Sequence, residues 1–98
     1  MNLNQFNLTI AGGQLPKELT PYLTAMWYEK RGDWDQSHRI VQDIETATAS
    51  WIHAYLHRRE GDESNARYWY SRAGRSFPSG LTLDDEWTAI TAVLLESR

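Results

Sequence analysis

The amino-acid sequence predicts an all-α fold: two antiparallel helical hairpins, followed by a C-terminal helix that either caps them or dimerises. Three observations predict it. Two Gly-Asp dipeptides, Gly32-Asp33 and Gly61-Asp62, stand 29 positions apart, each between two helix-like runs. Apolar and small residues recur at helical spacing, as Trp34, Ser37, His38, Val41 and Ile44 do on one face. No segment alternates with the period of two that a half-buried strand needs.

The elements follow in order. Residues 1–16 show little periodicity and contain Gly12-Gly13, so they are expected to form an irregular N-terminal arm. The first hairpin spans 21–45. Thr20 caps its first helix and Pro21 takes the first helical position, where no backbone donor is missed. That helix runs through "PYLTAMWYEKR" to Gly32, which accepts the left-handed conformation that closes a helix. Asp33 caps the second helix, "WDQSHRIVQDIE". The second hairpin spans 48–74, with a break or cap between Thr46 and Ser50 and a second stop-and-cap at Gly61-Asp62. Gly74 to Gly80 is a loop. Thr82 with Asp85 opens the last helix, 82–97, whose stripe is Leu83, Trp87, Ile90 and Leu94.

The two Gly-Asp corners belong to an internal repeat. Ala25 and Ala54 precede the glycines by seven; Ser37 and Ala66 follow by five; Val41 and Tyr70 follow by nine. Small side chains at these places let paired helices approach closely. The pattern, with Tyr28 before Gly32 and Pro78 after the second hairpin, resembles the tetratricopeptide repeat over about residues 21–78. "GDESNARYWYSRAG" is similar to a sister class of that repeat, which favours Asp, then Ala, then Trp-Tyr and a basic residue before Ala. "HAYLHRREGD…NARYWYSRAG" is also similar to a signature of a bacterial and fungal family that brings no activity with it. The period here is 29, against about 34 in tetratricopeptide repeats, so the link between hairpins must be short. Ser37 replaces the usual alanine and His57 the usual tyrosine.

Bulk properties narrow the function. A chain of 98 residues, 41% hydrophobic, suits one folded domain. With no cysteine there is neither a disulfide nor a thiolate metal site. A net charge of −3 argues against nucleic acid as the partner. No apolar run is long enough to span a bilayer and no secretory signal is visible, so a cytoplasmic location is expected. The motifs of hydrolases, P-loop proteins and dinucleotide-binding enzymes are missing, and more is said for a non-enzyme than for an enzyme.

Two candidate sites remain. The resemblance implies a groove lined by Tyr22, Met26, Glu29 and Lys30 from the first helix and Trp51, Tyr55, Arg58 and Arg59 from the third. Such a strip suits a protein or peptide partner with apolar anchors and a carboxylate, which arginine grips bidentately. The competing expectation is that the C-terminal helix or the N-terminal arm fills this groove. The second site is a three-histidine cluster. His53 and His57 lie four apart and share a helix face, and His38 joins them if the second and third helices pack side by side. Three histidines with an open position suit zinc, with Asp35, Glu60 or Asp62 as a further ligand or supporting group. Against it stands a purely structural reading, in which the rings fill core volume and bond to Arg67, Tyr68 or Asp62. Tyr70 is expected to face its partner helix, with Tyr68 and Trp69 turned toward the last helix. Asp84, Asp85 and Glu86 are expected to favour the dipole of the last helix. Arg58, Arg59, Arg67, Arg72 and Arg75 are expected to form a surface laced with carboxylates.

Overall fold

The structure, a computed structural model, describes residues 1–97. It is built from six helices and, among the described residues, no strand: α1 Leu3–Gly12, α2 Pro21–Lys30, α3 Trp34–Val41, α4 Ala47–Arg59, α5 Glu63–Ala73 and α6 Leu83–Ser97. Helix α2 pairs with α3 and α4 with α5; α3 packs on α4, and α6 lies across α2 and α4 with α1 against it.

The repeat recurs as geometry. Gly32 and Gly61 have φ of 89° and 88°, the left-handed region that glycine enters without steric cost. Asp33 and Asp62 follow with nearly the same backbone angles, and each carboxylate accepts from an amide three residues on. Ala25, Ser37, Ala54 and Ala66, the small residues of the pattern, are fully buried where the paired helices meet.

Two boundaries differ from expectation. The N-terminal segment is a helix, not an irregular arm. Asn2 and Gln5 close a reciprocal capping box, and Gly13 ends the helix in the left-handed conformation. Only Phe6 and Ile10 of α1 are buried, a stripe too narrow to register as periodic. Three contacts tie it down: Phe6 stacks against Trp87, Trp27 Nε1 donates to Thr9 Oγ1 (3.1 Å), and Arg31 donates to the Ile10 carbonyl (2.9 Å). The second difference is that α3 stops at Val41 rather than running to Glu45. Thr46 already caps α4, so residues 42–45 serve as the shortened link that the 29-residue period requires.

Helix α6 folds back on its own chain. Trp87, Ile90 and Leu94 are buried, and Trp87 Nε1 donates to the Met26 carbonyl (3.1 Å). Burying each such side chain stabilises by roughly 1.5–3 kcal/mol. The helix is a cap.

Candidate metal centre

The centre arises where α3 and α4 cross. The i, i+4 spacing puts His53 and His57 on one face of α4, their rings stacked with centroids 4.8 Å apart. The crossing brings in His38 from α3, whose Nε2 lies 3.0 Å from Nε2 of His53. One ligand nitrogen from each of the three rings falls within 4.8 Å of the others. Tetrahedral zinc with nitrogens at 2.0–2.1 Å needs them about 3.3 Å apart. The His38–His53 pair, at 3.0 Å, is close to that separation.

Aromatic walls hold the rings. Trp34 lies parallel to His38 at 4.9 Å, with its indole nitrogen donating to the Leu56 carbonyl (2.7 Å). Trp69 lies parallel to His53 at 4.0 Å. His57 Nδ1 meets Glu60 Oε1 at 2.6 Å. A carboxylate accepting from one imidazole nitrogen fixes the tautomer and leaves a lone pair on the other. His57 Nε2 has the Asn65 amide at 3.4 Å.

Burial, then the neighbouring His38 and His57, holds the His53 pKa down to about 4. The His38 pKa is lowered as well, by burial first and by His57 second, with Glu60 and Asp35 opposing. Both rings are therefore neutral at neutral pH, the form that coordinates metals.

The named residues fall unevenly. Glu60 supports His57; Asp62 instead caps α5, and Asp35 contributes only its field. The partners suggested for structural histidines are elsewhere: Arg67 pairs with Glu63, and Tyr68 accepts from Arg72. Tyr70 is buried against its partner helix as expected, whereas Trp69 turns to His53 rather than to the last helix, and Tyr68 is exposed. Trp34, Trp69 and Asn65 were not visible as parts of the site. The one hint was that Trp34 shares the apolar face of His38.

The strip expected to form a peptide groove is the surface on which α6 lies. Met26 and Tyr55 are fully buried, and Trp51 and Glu29 nearly so. The Tyr55 hydroxyl donates to Glu29 (2.9 Å) and accepts from Arg59. Arg59 reaches Glu29 and Asp84, and Lys30 lies over the Trp87 ring. Arg58 pairs with Glu86 at 2.8 Å and bonds the Leu81 carbonyl; Tyr70 also donates to Glu86. Tyr22, at the far end, bonds Thr46 (2.9 Å). Glu86 is thus a buried ion-pair partner rather than a dipole-favouring surface charge, and at the start of α6 the Thr82 hydroxyl accepts from the Asp85 amide. Set beside known proteins, the chain matches no family model, no curated protein and no solved structure.

Proposed function

We propose that this chain binds a divalent transition-metal ion, zinc foremost, through His38, His53 and His57, on a scaffold that resembles two tetratricopeptide repeats. The convergence of three imidazole nitrogens within 4.8 Å carries the reading. The neutral state of His38 and His53 supports it, as does the Glu60 carboxylate behind His57. Imidazole sets of this kind favour zinc, copper or nickel over magnesium or calcium, which prefer oxygen. Three protein nitrogens leave a coordination position for a water or a substrate atom. The alternative, a peptide groove on the α2–α4 face, is less well supported because α6 already lies there.

Calorimetric titration of chelator-treated protein with zinc chloride tests this. One ion should bind per chain at micromolar concentration or below, and His38→Ala, at a partly exposed position, should weaken binding at least tenfold while the helical circular dichroism is retained. No heat at micromolar concentration would remove the metal from the account.

A further inference from the structure

Of the arginines expected to interleave with carboxylates, Arg58, Arg59 and Arg67 do so. Arg75 does not. Among the described residues its guanidinium meets no carboxylate; it lies on the ring of Trp51, 3.4 Å from the centroid. Two clefts meet at this pair, of about 460 Å³ and about 190 Å³, and Trp51, Arg75 and Val93 line both. The larger continues past Pro78, Leu81 and Ala89. The smaller is bordered by Thr20, Tyr22, Thr48 and Leu94.

We propose that Arg75 receives the C-terminal carboxylate of a peptide whose last residue is apolar. A terminal α-carbon carries three groups, and the surface offers three places in matching order: the guanidinium for the carboxylate, the small cleft for the last side chain, and the large cleft for the preceding residues. Stacking on Trp51 holds the guanidinium plane before a ligand arrives, so a bidentate grip sacrifices little side-chain freedom. Glu86 also borders the large cleft, but its carboxylate is engaged by Arg58 and Tyr70, which removes the repulsion an isolated carboxylate would exert. A free small acid would occupy only one cleft; a chain end uses both. The inference does not depend on the metal.

The test is an NMR titration of ¹⁵N-labelled protein with acetyl-Ala-Ala-Leu bearing a free carboxylate, following the Trp51 indole signal, assigned with Trp51→Phe. The signal should move and saturate by millimolar peptide. Amidating the peptide, or Arg75→Gln, should weaken binding roughly tenfold, in line with loss of a charged hydrogen-bond pair, and Arg75→Lys should restore part of it. No movement at millimolar peptide, or equal binding of the amide, would overturn the proposal. Acetyl-leucine binding as tightly as the tripeptide would overturn the assignment to a chain end.

Discussion

The Nε2 atoms of His38 and His53, on different helices, stand 3.0 Å apart. That separation has room for one shared proton and none for a second. The folded-state pKa of His53 is about 4, against about 6.5 for an unconstrained histidine. The unfolded chain therefore binds more protons between those values, so the contribution of His53 to stability is fully present above about pH 6.5, falls with acidification and is spent below about pH 4. His53 alone accounts for roughly 3 kcal/mol of that fall. Urea midpoints measured from pH 7 to 4.5 with chelator present should show the decline, and His53→Gln should flatten it.

Glu60→Gln should weaken zinc binding about 10- to 100-fold, because His57 loses the carboxylate that orients it. Glu63→Gln, which disturbs only the exposed pair with Arg67, should leave the affinity unchanged. Calorimetry on both variants checks the contrast.

Ser37 is fully buried, and its hydroxyl has no hydrogen-bond partner. Ala66 occupies the equivalent place in the second hairpin, so a methyl group fits there. Ser37→Ala should therefore stabilise the protein by about 1 kcal/mol, and Ala66→Ser should destabilise it by about 1–3 kcal/mol. Chemical denaturation reads both.

Two carboxylates of α6 differ in what their loss does. Glu86 is buried between Arg58 and Tyr70, and Glu86→Ala should cost about 3–5 kcal/mol by stranding the Arg58 charge. Asp84, 74% exposed at its side chain, touches Lys30 and Arg59, and Asp84→Ala should cost no more than about 1 kcal/mol. Equal losses would show that α6 is not fastened through Glu86.

Features set by neighbours in sequence were legible in it. The glycine corners, the aspartate caps and the small residues between paired helices rest on interactions within a few positions or on spacing alone. The N-terminal helix was hidden because its capping box, Asn2 with Gln5, is followed by only two buried anchors and ends in a glycine pair. The occupant of the α2–α4 face was not legible for a different reason. The stripe of Trp87, Ile90 and Leu94 says that α6 covers something, but not which of several apolar faces. For the site, the spacing of His53 and His57 placed two rings together, and the third followed only once α3 was known to lie beside α4. Trp69 on His53 depends on how α5 is rotated about its axis, which three consecutive aromatics leave undetermined.

The bond from Trp87 to the Met26 carbonyl joins residues 61 positions apart. During vectorial synthesis both hairpins leave the ribosome before the helix that covers them. Until then Met26, Tyr55 and Phe6 face water or whatever chaperone waits at the exit. Loop-closure cost rises only slowly with length, so the exposure lasts as long as the synthesis of the remaining residues rather than as long as the closing of the loop.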